Sequence, residues 1–85
     1  MKHPNTDPLA ALKNVDWLIS NGGEISLGAV GPVESAAVAS DESDCLAMLQ
    51  RRDGESLYQL LTRLDAAIAR AWDEGEFTDE INPNR

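Results

Sequence analysis

The stretch from Asp53 to Gly75 leaves this 85-residue chain the fewest options. Leu57, Leu60, Leu61, Leu64, Ala67, Ile68, Ala71 and Trp72 recur at the three-and-four spacing of one helical face, while Gln59, Thr62, Arg63, Ala66, Arg70 and Asp73 fall away from it. Ser56 and Gln59 form a Ser-x-x-Gln capping box that starts the helix at Ser56, and Gly75 supplies the left-handed residue that stops it. A stripe this long has to be covered by the rest of the chain. A chain of this size hides only roughly 60 to 65% of its extended surface on folding, so it has one core and one domain.

Upstream, Thr6-Asp7-Pro8 is expected to open a first helix, with Thr6 or Asp7 as N-cap and Pro8 in the first turn, where its missing N–H costs nothing. Asn21-Gly22-Gly23 closes it. Leu9, Ala11, Leu12, Val15, Leu18 and Ile19 share one half of that helix, and Lys13, Asn14 and Trp17 lie opposite. Trp17 on the polar side is either covered by the C-terminal segment or the edge of a sheet, or exposed as a binding anchor, since tryptophan is over-represented where interface energy concentrates.

Between the helices, strand-like pieces are separated by turn residues. Ile25, Leu27 and Ala29 alternate with Ser26 and Gly28 until Gly31-Pro32. Val33 to Ala39 follows, with Ala36 and Val38 on one face and Ala37 and Ala39 on the other. Asp41-Glu42-Ser43-Asp44 makes a hairpin loop into a third strand from Cys45 to Arg51, and Asp53-Gly54 turns into the long helix. The expectation is an α+β fold, a two-layer α-β-β-β-α arrangement with an antiparallel three-stranded sheet and two helices on one face. The domain is expected over residues 6–82, with residues 1–5 and 83–85 as disordered ends. The small residues Ala36, Ala37, Ala39 and Ala47 suit either a closely packed helix or a twofold contact between two copies. This order of elements is similar to that of the double-stranded-RNA-binding domain. That family starts its last helix with lysines where this chain has Gly54-Glu55-Ser56-Leu57, so the likeness implies topology and not RNA binding.

Charge narrows the partners. Fifteen Asp and Glu stand against seven Lys and Arg, a net charge of −8. Binding to phosphate backbones is driven by cations displacing counterions, so no direct nucleic-acid contact is expected, and a basic protein surface is the natural partner. Arg51 and Arg52 read as solubilising charges beside Glu55. Cys45 is the single cysteine, no apolar run is long enough to span a membrane, and Met1 to Thr6 lacks the basic-then-apolar order of a secretion signal. A cytoplasmic protein with no membrane association is expected.

Residues for chemistry are few. His3, the one histidine, sits where a free amino terminus can wrap Cu(II) or Ni(II), a property that chance supplies easily. Neither Ser56 nor Cys45 has a base to activate it. Gly28-Ala29-Val30-Gly31-Pro32 lacks the lysine and spacing of a phosphate loop. Asp41, Glu42 and Asp44 provide too few ligands, without a central glycine, for a calcium loop. No catalytic residue, metal or cofactor is expected, and the chain reads as a non-enzyme.

From Asp73 to Glu80 five of eight residues are acidic, with Trp72, Phe77 and Ile81 spaced through them. Either Phe77 and Ile81 fold back while the acids face water, or the segment is an acidic docking peptide. Gly-Glu-Ser-Leu, Leu-Leu-Thr-Arg-Leu-Asp-Ala-Ala-Ile and Glu-Gly-Glu-Phe-Thr-Asp-Glu-Ile-Asn, all between Asp53 and Asn82, resemble small uncharacterised proteins of proteobacteria and their phages. The resemblance covers about a third of the chain and implies a phage-type inhibitor that competes with nucleic acid for a basic groove of a host enzyme. In that reading Asp41, Glu42, Asp44, Asp73, Glu74, Glu76, Asp79 and Glu80 form the field, and Trp17, Trp72 and Phe77 sit at the contact. The alternative is a self-associating structural or regulatory subunit, a homodimer through the sheet or the first helix.

Overall fold

A computed structural model describes residues 8–82. His3, the Thr6 and Asp7 caps and the two chain ends lie outside the described residues. The fold is α+β: a four-stranded mixed sheet with two helices. A short 3₁₀ turn over Pro8–Ala11 leads into α1, Lys13–Ser20. Strands β1 (Glu24–Val30), β2 (Val33–Ser40) and β3 (Cys45–Gln50) follow, then α2 (Leu57–Glu74) and a two-residue β4, Thr78–Asp79. The sheet order is β1-β2-β3-β4.

Two expectations need correction. The sheet is neither three-stranded nor wholly antiparallel, because β4 returns from α2 and pairs parallel with β3, Ala47 opposite Thr78 and Met48 opposite Asp79. A two-residue strand carries no alternation to read, and only the return of α2 across the sheet delivers it to this edge. The first helix is also not continuous from Pro8. It breaks at Leu12, whose φ of −86° and ψ of 70° place it outside the helix, and Leu12 makes no side-chain cap.

Alternation fixes the two faces of the sheet. Ile25, Ala39 and Ala47 share one row, and Leu27, Ala37 and Leu49 the next. These rows meet the helices: Ala37, Ala39, Ala47 and Leu49 are buried with Leu18 of α1 and with Leu60, Leu64, Ala67 and Ile68 of α2. Both helices therefore lie on one face. The alanines let α2 settle close, and each leucine so buried contributes about 1.5–3 kcal/mol. A bulge between Ala39 and Ser40 turns Leu46 into the same core. On the far face, Ser26, Val38 and Met48 form a row covered by neither helix.

The apolar stripes are not buried evenly. Leu57, at the first turn of α2, and Ile19, near the end of α1, are about half exposed although both were expected on the core faces. The helices outrun the alanine rows at these points. Leu27 is similarly exposed although it shares the row of Ala37 and Leu49, because β1 is the outer strand. The ends of α2 follow the expected signals. Ser56 accepts from the Gln59 N–H at 3.0 Å, Gln59 reaches back to the Ser56 N–H at 2.9 Å, and Gly75 ends the helix at φ 71°. At the other junction Gly23 packs so tightly that a methyl group there would overlap Leu18 and lie 2.8 Å from the Ser40 carbonyl oxygen.

Candidate functional site

Trp17 comes from the middle of α1 and Trp72 from the last turn of α2, and the docking of the helices brings them together. Their ring centroids are 5.2 Å apart with the planes at 76°, an edge-to-face pair. Trp17 thus has its aromatic partner in α2. The pair stays open, with Trp17 58% and Trp72 36% exposed. Together with Lys13 and Asn14 the two indoles line a cavity of about 420 Å³.

The position of α1 on α2 depends on one carboxylate. Asp65 Oδ1 accepts the backbone N–H groups of Asn14 (2.8 Å) and Val15 (2.9 Å), and its Oδ2 accepts the Asn14 side-chain amide at 3.0 Å. A helix that begins without a cap of its own is capped from its neighbour, at the negative charge that a helix N-terminus favours. Asn14 is at once held by Asp65 and part of the cavity wall.

The acidic residues expected to act together divide into two groups. Asp73, Glu74 and Glu76 are exposed at the end of α2 beside Trp72, with Phe77 45% exposed just beyond, and none of the three acids makes an ion pair among the described residues. Glu42 lies against the Gly22 turn after α1, and Asp44 is exposed in the hairpin loop. The others have structural work. Asp41 Oδ1 accepts the N–H groups of Ser43 and Asp44 at 2.8 and 2.7 Å, which holds its carboxyl below the usual range. Asp79 Oδ1 accepts from the N–H groups of Ile81 and Asn82. Glu80 accepts the Gln50 N–H at 3.0 Å and pairs with Arg63 at 2.9 Å, while its own N–H bonds to Met48. The segment after Gly75 has therefore folded back along β3, although Phe77 remains exposed.

Arg63 was expected to fall away from the apolar face of α2, and it lies outside the core cluster. There it is the centre of an ion cluster: Nε and Nη2 clamp Glu55 at 2.6 and 3.0 Å, Nη1 reaches Glu80, and Nη2 also donates to the Gln50 carbonyl. Arg52 donates its backbone N–H to Glu55 at 3.0 Å and lies 3.8 Å from Glu80. The Glu55 side chain is only 8% exposed, and the Arg63 guanidinium, followed by the Arg52 N–H, pulls its pKa down to about 2. A depression of about 710 Å³, lined in part by Glu34, Arg51, Arg52 and Glu55, opens beside this cluster. Glu55 held ionised in this way has no proton to donate near neutral pH. Cys45 is exposed, and no three His, Cys, Asp or Glu side chains among the described residues converge as metal ligands. No helix of the described residues is long and apolar enough to cross a membrane.

Comparison of the chain with protein-family models, curated proteins and solved structures finds no match.

Proposed function

We propose that this chain is a non-enzymatic, acidic protein-binding module whose contact face is the Trp17–Trp72 pair with the acidic end of α2. The observation that supports the reading is a pair of open indoles at the end of α2 that also carries Asp73 and Glu74, with Glu76 just beyond, three exposed acids that make no ion pair among the described residues. Large aromatic side chains supply the buried anchors of an interface, and a surrounding field of one sign steers the partner and selects a basic one. The net charge of −8 extends that field over the whole domain. In the narrower form of the proposal the basic partner surface is a nucleic-acid groove, and the chain inhibits by competing for it, as its resemblance to small phage proteins implies.

The test is capture of partners from the cells that make the protein, at low and at high salt, with wild type and with Asp73→Lys, Glu74→Lys, Glu76→Lys together. A basic protein retained by wild type at low salt, and lost both in high salt and from the triple variant, supports the reading. Equal capture by the triple variant overturns it. For the narrower form, added nucleic acid must displace the chain from that partner.

A second reading, a homodimer, is favoured by the outer strand β1, which among the described residues has no neighbour on one side, and by the row of Ser26, Val38 and Met48, which neither helix covers. Sedimentation at tens of micromolar, where specific dimers of ordinary affinity are populated, distinguishes the two.

A further inference from the structure

We propose that the corner between Trp17 and Trp72 receives an arginine side chain from a basic peptide segment of the partner, an inference that rests on the reading of the chain as an acidic protein-binding module. The indoles stand at 76°, so they offer two nearly perpendicular aromatic walls, and the cavity of about 420 Å³ is room for one long side chain and the backbone that carries it. The site is preorganised, because Asn14 in its wall is tied to Asp65 through both carboxylate oxygens.

Electrostatics selects the occupant. Trp72 lies in the last turn of α2, where the unsatisfied carbonyl groups give the helix its negative end. A helix normally places Lys or Arg there, yet this last turn contains no basic residue and ends instead in Asp73 and Glu74, with Glu76 just beyond. Arg70, one turn earlier, is turned toward the Thr78 hydroxyl. Asp16, the acidic residue in the first turn of α1, precedes Trp17 in sequence, and Lys13 is the cation in the cavity wall. Among the described residues, Asp16, Asp73, Glu74 and Glu76 outnumber Lys13 and Arg70 at this end of the domain, a negative potential that a cation from outside relieves. Of the two cationic side chains, arginine has the planar, weakly hydrated head that stacks on an indole face, and its methylene stem fits between aromatic walls.

The probe is an acetylated and amidated nonapeptide, Gly-Arg-Gly repeated three times, compared with its lysine and citrulline counterparts. Binding to the full chain is followed by tryptophan emission and by the two indole N–H signals in NMR spectra. The expected result is that the arginine peptide shifts both indole signals, that the neutral citrulline peptide binds at least about tenfold more weakly, and that the lysine peptide falls between them. Trp72→Ala weakens binding of the arginine peptide by about tenfold, whereas Trp17→Tyr, which keeps an aromatic wall, retains most of it. Circular dichroism checks that the variants are folded. Unmoved indole signals, or equal binding of the citrulline peptide, overturn the inference. If neutralising Asp73, Glu74 and Glu76 abolishes binding while folded Trp72→Ala binds like wild type, the acidic face is the binding surface and the arginine corner is refuted. A dimer dissociated by Trp72→Ala places a second copy in the corner and equally refutes it.

Discussion

Asp65 grips Asn14 with both carboxylate oxygens, one on the backbone N–H at 2.8 Å and the other on the side-chain amide at 3.0 Å, across 51 positions of sequence. With the Val15 N–H as a third donor, this is the cap that α1 does not provide for itself. Asp65→Ala is expected to cost about 2 kcal/mol, given that hydrogen bonds to a charged acceptor contribute about 1.5–3 kcal/mol and water replaces part of the loss. For a domain of this size that lowers Tm by about 8–16 °C. Thermal melts measure the loss. Hydrogen exchange locates it, with the Asn14 and Val15 amides losing protection first, and because α1 carries Trp17, binding at the indole corner weakens in parallel.

The Glu55–Arg63 pair makes stability pH-dependent in acid. The Glu55 carboxyl titrates at about 2 in the folded protein, against an ordinary value of 4.5. As pH falls the unfolded chain takes up this proton first, so the contribution is complete above about 4.5 and disappears progressively toward about 2. With Arg63 and Glu80 partly open to solvent, the amount at stake is on the order of 1–3 kcal/mol. Denaturant midpoints for wild type fall through that window. Glu55→Gln is less stable at neutral pH but shows a smaller fall there, and an equal fall in both proteins would show that Glu55 is not the group responsible.

Gly23 joins α1 to β1 with no room for a side chain. In Gly23→Ala the new methyl group overlaps Leu18 and crowds the Ser40 carbonyl, neither of which is the free end of a flexible surface chain. Overpacking of this kind costs about 1–3 kcal/mol. Urea denaturation is expected to show a lowered midpoint with an unchanged slope.

Glu80 ties β4 to the body of the domain through the Gln50 N–H and Arg63. Glu80→Ala is expected to loosen this edge without unfolding the core, which lies under α2. Amide exchange at Gln50 and Glu80 accelerates, while that at Leu64 and Ile68 stays at the wild-type level. The global loss is about 1 kcal/mol, smaller than that for removing Arg63, which strands the nearly buried Glu55 without its partner.

Features confined to a few neighbouring residues were legible in the chain itself. The Ser56–Gln59 box and the Gly75 stop depend on contacts three or four residues apart, and the first three strands on alternation broken by Gly31-Pro32 and the Asp41 loop. The two faces of β2, Ala36 and Val38 against Ala37 and Ala39, also follow from the period of two. Tertiary structure alone decided the rest. No local pattern says that Asp65 will cap α1, that Arg63 will gather Glu55 and Glu80, or that a two-residue strand will pair parallel to β3. These contacts exist only once α2 has settled on the alanine rows, a placement set by packing summed over the whole core. The acidity belongs to the sequence; the meeting of Trp17 with Trp72, near the end of α2 whose acids make no ion pair among the described residues while Asp41, Asp79 and Glu80 are drawn into the fold, belongs to the docking of the two helices.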